Sequence, residues 1–432
     1  MDLIVEQSKL SGRVLIPSSK SHTIRAVSIA SLAEGTSIIR NPLDSADTQA
    51  AIRAARAFGA VIETGVDWRV EGTGGEMRVP DDVIDVANSG MTLYIGMGTA
   101  ALIDGWTVFT GDDQIRRRPA GPLIDVLNDL GATAFSTRGG GAAPLAIRGP
   151  LKGGKADLDG GKTSQYLTAL LINCPLAAAD SEIRVRNLVE QPYIEMTLRW
   201  LKEQGIEWET SPGMAYPKRS EIFRISGGQR YKAFDKAIPG DFSSATFFLA
   251  AAAITGSELI LEGLDMTDSQ GDKAVVEMLA VMGAETEQLP DGIRIKSGEL
   301  KGREFDLNAT PDALPAMAVV GCIARGETRL VNVPQARLKE TDRITVMRQE
   351  LEKMGAHIEE LPDGLVIHES TLNGARVNGH ADHRVVMALA VAGLAASGET
   401  IVDTAEAVGV TFPNFTELMT QAGAKMRVTA NI

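Results

Sequence analysis

Four charged segments stand where a loop runs into a helix, and they carry the side chains best suited to bind an anion. Residues 17–25 read Pro17-Ser18-Ser19-Lys20-Ser21-His22-Thr23-Ile24-Arg25, followed by an apolar helix. A hydroxyl-rich turn at a helix start offers backbone N–H groups to an anion, and Lys20 and Arg25 add whole charges. Residues 110–119 contain Arg116, Arg117 and Arg118. Residues 338–343 contain Lys339, Glu340 and Arg343, and the fourth segment is Asp382-His383-Arg384. Taken singly, each has an ordinary reading as a helix cap or a run of solvated cations.

The whole-chain charge sharpens the question. Lys and Arg number 43 against 56 Asp and Glu, a formal charge of −13, so an anion must be held by a local pocket against an unfavourable overall field. The same charge disfavours a nucleic-acid or anionic-membrane partner, because such binding needs clustered cations. Cys174 and Cys322 cannot make a disulfide framework, and the five histidines show no metal-ligand spacing. No basic leader precedes an apolar stretch, and the apolar runs near 247–254 and 387–396 are too short to span a bilayer. The expectation is a cytoplasmic, soluble protein.

The elements that must position these residues recur along the chain. A small-residue helix, a turn and a β-branched strand appear around Gly35, Gly105, Asp180, Gly256, Gly326 and Gly398, at steps of 70–76 residues. In phase with them, a helix ending in glycine precedes a strand at Gly59, Gly131, Gly205, Gly283, Gly355 and Gly423. Glycine just past a helix predicts a left-handed cap. Turns such as Pro290-Asp291-Gly292 and Pro362-Asp363-Gly364 predict hairpins. Each unit therefore reads as helix, strand, helix, hairpin in an α/β chain. Six such units exceed one core, so two domains of three units are expected, divided near residues 231–239.

Together the charged segments resemble the enolpyruvyl transferase superfamily, in its 5-enolpyruvylshikimate-3-phosphate (EPSP) synthase branch of archaeal type. The resemblance rests on PSSKS at 17–21, GDDQIRRRP at 111–119, DGGKTSQYLTALL at 159–171 and GDFSSATFFLAAA at 240–252. It continues through QGD at 270–272, ATPDALPA at 309–316, LKETDR at 338–343 and DHR at 382–384. It implies a two-lobed inside-out α/β barrel of six βαβαββ units, with residues 17–238 in one lobe and 1–16 plus 239–432 in the other. It implies enolpyruvyl transfer from phosphoenolpyruvate (PEP) to a hydroxyl of shikimate 3-phosphate by a monomer, with no cofactor or metal.

Carried over by position, the resemblance assigns Lys20, Ser21, Arg25, Thr163, Ser164, Gln165, Asp312 and Lys339 to the acceptor. Lys20, Gly90, Arg118, Gln165, Arg343 and Arg384 fall to PEP. Lys20, Asp312 and Glu340 take the proton transfers, with Asp312 as base and Glu340 as acid. Three segments depart from the pattern. Met91 and Tyr94 stand where the family reads Thr and Arg, Glu190 where it offers Ser or a cation to the 3-phosphate, and Val410 where many members have Lys. Tyr94 and Glu190 both lower the expected affinity for anions, which keeps open an enolpyruvyl transferase or eliminase with a non-phosphorylated acceptor. The alternative is that both side chains point away from the ligands. A UDP-sugar branch is disfavoured by the shikimate-type segments, and a nucleic-acid clamp of similar repeats by the charge.

Overall fold

One hydrogen-bonding order repeats in six four-stranded sheets of the computed structural model, which describes residues 1–213 and 220–430. Strand Gly154–Asp159 runs parallel to Ser181–Arg186, which pairs antiparallel with Ser220–Ile225, itself hairpinned to Trp208–Gly213. A parallel pair needs a crossover, supplied here by the buried helix Gln165–Asn173. Helix Gln191–Glu203 leads into the hairpin. The unit is therefore βαβαββ, and the α/β class expected from the repeat is the one observed.

Three sheets borrow a strand from elsewhere in the chain. Asp2–Glu6 lies between Glu399–Val402 and Lys425–Thr429, and Ser11–Leu15 runs parallel to Glu258–Glu262. Asp235–Ala237 runs parallel to Thr36–Arg40. The chain divides into two compact units, Met1–Ser19 with Pro239–Ile432, and Lys20–Ile238, each with its own apolar core.

In each unit the crossover helices are buried almost all round. Every residue of Gly90–Ala100 is buried, and His383–Ala395 is buried through Leu394. Helix His383–Ala395 packs on both Phe242–Ile254 and Leu314–Ile323, and Gly90–Ala100 packs on Gln165–Asn173. Such helices need polar groups at their starts, where backbone N–H groups lack intrahelical partners. Ser89 caps Thr92, Asp241 caps Ser244 and Asp382 caps Arg384. The chemically equipped segments are thus the N-terminal ends of buried helices. The six phased glycines at helix ends all have positive φ, from 72° at Gly205 to 123° at Gly283, as the sequence predicts.

Candidate active site

In the unit Lys20–Ile238, the first helix begins at Lys20, whose Nζ lies 3.0 Å from Asp47 Oδ2. Asp47 is buried in the first turn of the next helix; nothing in the linear sequence marks it, and only a tertiary contact reveals it. Five residues on from Lys20, Arg25 is 1% exposed. Its guanidinium donates to Thr197 Oγ1 at 2.9 Å, Thr168 Oγ1 at 3.4 Å and the carbonyls of Tyr193 and Ser21 at 2.9 and 3.0 Å. Met91 Sδ sits 3.9 Å from its Nη1. These partners are all neutral, and burial lowers the Arg25 pKa to about 9. A buried cation held by neutral groups is costly, and an arriving anion offsets that cost. Thr168, Thr197 and Tyr193 join the site through this contact, whereas the Ser21 side chain makes no hydrogen bond among the described residues.

Gly90, Arg118 and Gln165 come together. A Cβ on Gly90 would press on Arg118 Nη1 and lie 3.4 Å from Gln165 Oε1, so glycine leaves room for both side chains where they stand. Gln165 Oε1 is buried without a hydrogen-bond partner among the described residues. An open acceptor beside a guanidinium leaves room for a hydrogen bond from a ligand or an ordered water.

Tyr94 corrects the sequence reading. It is 3% exposed and lies in the core, edge-on to Tyr166 with ring centroids 4.9 Å apart. Both tyrosine hydroxyls donate to the carbonyl of Pro119, next to Arg118. Burial raises the Tyr94 pKa to about 12. Tyr94 therefore holds the Arg118 segment and is removed from the specificity candidates.

Glu190 does not point away. It is 2% exposed and adopts a left-handed backbone, φ 57°, just before helix Gln191–Glu203. Its Oε2 accepts from Ser164 Oγ at 2.7 Å, Ser164 N at 3.1 Å and Thr163 Oγ1 at 3.5 Å. A carboxylate thus occupies the hydroxyl and N–H donors at the start of helix Gln165–Asn173. A non-glycine residue at positive φ costs about 1–3 kcal/mol, which these contacts offset.

The other unit concentrates charge. Arg343, 1% exposed, is bound by three carboxylates: Asp312 at 2.8 Å, Glu340 at 2.6 Å and Asp382 at 2.8 and 3.1 Å. The second oxygen of Asp312 meets Arg384 Nη2 at 2.9 Å. Burial pushes the Asp312 pKa up, but Arg384, Lys339 and Arg343 together hold it well below the usual range. Asp272 is pushed the other way, to about 7, by burial and then by the charge of Asp312, against Arg384. The two carboxyls are driven apart: Asp312 favours the charged form, while Asp272 holds its proton up to about pH 7. Asp272 and Asp382 belong to the QGD and DHR motifs, which gave neither of them a role. Asp382 now emerges as the group that orients Arg343, with Thr341 Oγ1 donating to it at 3.0 Å.

The histidine reading also changes. His357, Glu359 and His368 present ligand atoms within 4.8 Å of one another, a grouping formed by strand register and invisible as linear spacing.

Each three-sheet unit thus places a buried arginine near the start of a helix, an arrangement suited to small anionic ligands. A sequence model described as EPSP synthase (3-phosphoshikimate 1-carboxyvinyltransferase) matches residues 4–419, and the chain belongs to that family. A 3-phosphoshikimate 1-carboxyvinyltransferase of Acetivibrio thermocellus is 57% identical over 98% of this chain and 99% of its own length. One from the archaeon Methanothrix thermoacetophila is 47% identical over 99% and 100%. The EPSP synthase of Acinetobacter baumannii superposes with a TM-score of 0.82 at 27% identity, covering 99% of this chain and 100% of that one. No helix among the described residues is long and apolar enough to cross a membrane.

Proposed function

We propose that this chain transfers the enolpyruvyl group of PEP to the 5-hydroxyl of shikimate 3-phosphate and releases phosphate, a step of the shikimate pathway toward chorismate and the aromatic amino acids. Family membership sets the reaction, and the Asp312–Arg384–Arg343–Glu340 network is the observation that carries its chemistry. Glu340, with Lys20, delivers a proton to the PEP methylene, which makes the neighbouring carbon electrophilic. The 5-hydroxyl oxygen adds there while Asp312 accepts its proton. Phosphate then leaves the tetrahedral adduct while a methyl proton returns to the Glu340 carboxylate, which restores both the double bond and the acid. Arg118, Arg343 and Arg384, with Gly90 and Gln165, hold PEP. Lys20, Ser21, Arg25, Thr163, Ser164, Gln165 and Lys339 hold the acceptor.

The ion pairs give this scheme a physical order. While Arg343 and Arg384 are bound to Asp312, that carboxylate is a weak base. An incoming carboxylate or phosphate that takes over these arginines strips Asp312 of its counter-ions and raises its proton affinity. PEP binding therefore switches on the base. The protein works as a cytoplasmic monomer, without metal or cofactor in the reaction. A phosphate-release assay with PEP and shikimate 3-phosphate, with the product identified by mass spectrometry, tests the whole assignment.

Glu190 supports a second reading, an acceptor bearing a hydroxyl in place of the 3-phosphate. Its carboxylate sits on the Ser164 donors, and it can accept a hydrogen bond from a hydroxyl but has none to give a phosphate. Like charges about 4 Å apart repel by about 4 kcal/mol at an effective dielectric of about 20. On this reading Glu190→Ser raises the preference for shikimate 3-phosphate over shikimate by about tenfold or more, about 1.4 kcal/mol. Efficient wild-type turnover of the phosphate ester, unchanged in Glu190→Ser, would rule the second reading out.

A further inference from the structure

The hairpin of strands His357–Leu361 and Gly364–His368 carries a cluster that enolpyruvyl transfer does not use. His357 and His368 are direct partners across the hairpin, and Glu359 follows His357 by two positions. Side chains two apart on a strand share a face, so all three project from the same side of the sheet. Ile358, Leu365 and Ile367 alternate with them and point into the core. The imidazoles stack with centroids 4.5 Å apart and planes inclined by 26°. Glu359 Oε1 stands 3.4 Å from His368 Nε2.

Two observations separate this cluster from ordinary surface polarity. Neighbouring carboxylates of the same sheet are matched to arginines: Glu360 to Arg337 and Arg348, and Glu327 to Arg329. Glu359, by contrast, has an imidazole as its one polar partner among the described residues. The His357 ring nitrogens likewise make no hydrogen bond among the described residues. Second, the donor spacing is close to that of a coordination shell. Donors about 2 Å from a tetrahedral ion lie roughly 3.3 Å apart. The His368–Glu359 pair already has that separation, and rotation of the exposed His357 ring supplies the third donor.

We propose that His357, Glu359 and His368 form a divalent transition-metal site that clips the two strands of this hairpin together. Two imidazoles and one carboxylate favour zinc, cobalt or nickel over magnesium and calcium, which prefer all-oxygen shells. Water completes the coordination.

Full-length protein stripped with EDTA and titrated with Co²⁺ should develop ligand-field absorption that saturates at one equivalent and is displaced by Zn²⁺. Its Tm should rise with Zn²⁺ and stay constant with Mg²⁺. His368→Ala and Glu359→Gln should each weaken Zn²⁺ binding by more than about tenfold, since losing even a hydrogen-bonding partner of a ligand costs that much. Metal-free circular dichroism and Tm should match wild type, because these side chains lie outside the core. Equal Co²⁺ binding by wild type and both variants, or no saturable binding by wild type at millimolar metal, would overturn the proposal.

Discussion

Asp312 shows how a single residue is set by its partners. Arg384 and Arg343, with Lys339, hold it ionised, and those two arginines are among the cations proposed for PEP. Asp312→Asn therefore has opposite effects on chemistry and binding. Turnover should fall by about 10²–10⁴, the usual contribution of a positioned base. The affinity for PEP should hold or tighten, because a competing anion has left Arg384. Single-turnover kinetics alongside equilibrium binding separates the two, and a parallel loss of both would assign Asp312 to binding alone. Arg25 is the counterpart in the other unit, a buried charge whose described hydrogen bonds reach neutral oxygen and sulfur atoms. Residue type and motif single out both in the sequence. They do not show that one is saturated with counter-ions while the other is held by neutral groups.

Among elements, the starts of buried helices carry the site, and their surroundings make two predictions. Asp272, in the short 3₁₀ turn ahead of helix Ala274–Met282, has a folded-state pKa near 7 against an ordinary value of 3.8. Between those values the native state keeps a proton that the unfolded chain releases. Stability from this group is therefore fully present below about pH 3.8 and is lost as pH rises from there through about 7. The depressed Asp312 contributes its own slope only below about 3.8, outside this window. Asp272→Asn, which mimics the neutral acid, should flatten the pH dependence of Tm between about 4 and 7 while staying close to wild type at the acid end. An unchanged slope would mean that Asp272 is ionised. In helix Gly90–Ala100, Tyr94→Phe removes one of two hydroxyls on the Pro119 carbonyl. It should cost about 1 kcal/mol in denaturant unfolding and leave the preference between acceptors unaltered. A change in that preference would return Tyr94 to the specificity set.

For the whole molecule, the charge of −13 and the local cations act against each other. Buried arginines are held in place at some cost to stability, so ligands that neutralise them should stabilise the fold. Shikimate 3-phosphate and PEP, each at about 100 times its Kd, should each add about 2.7 kcal/mol if bound independently, read as a rise in Tm of several degrees. Shikimate in place of the phosphate ester provides the control for Glu190. A larger rise with shikimate at matched concentration would favour the second reading.

The sixfold unit is legible in the chain alone, because helix-ending glycines and hairpin turns are local signals repeated in constant phase. So is the family, whose motifs sit at the starts of buried helices, where capping and chemistry need the same polar residue types. Relations between distant elements are another matter, and folding alone settles them. Packing turned Tyr94 into the core, laid Glu190 on Ser164 and set Asp47 against Lys20. Each depends on the placement of neighbours that the chain order does not make adjacent. Side-chain direction and charge pairing are set by those neighbours, and a linear spacing carries no information about them.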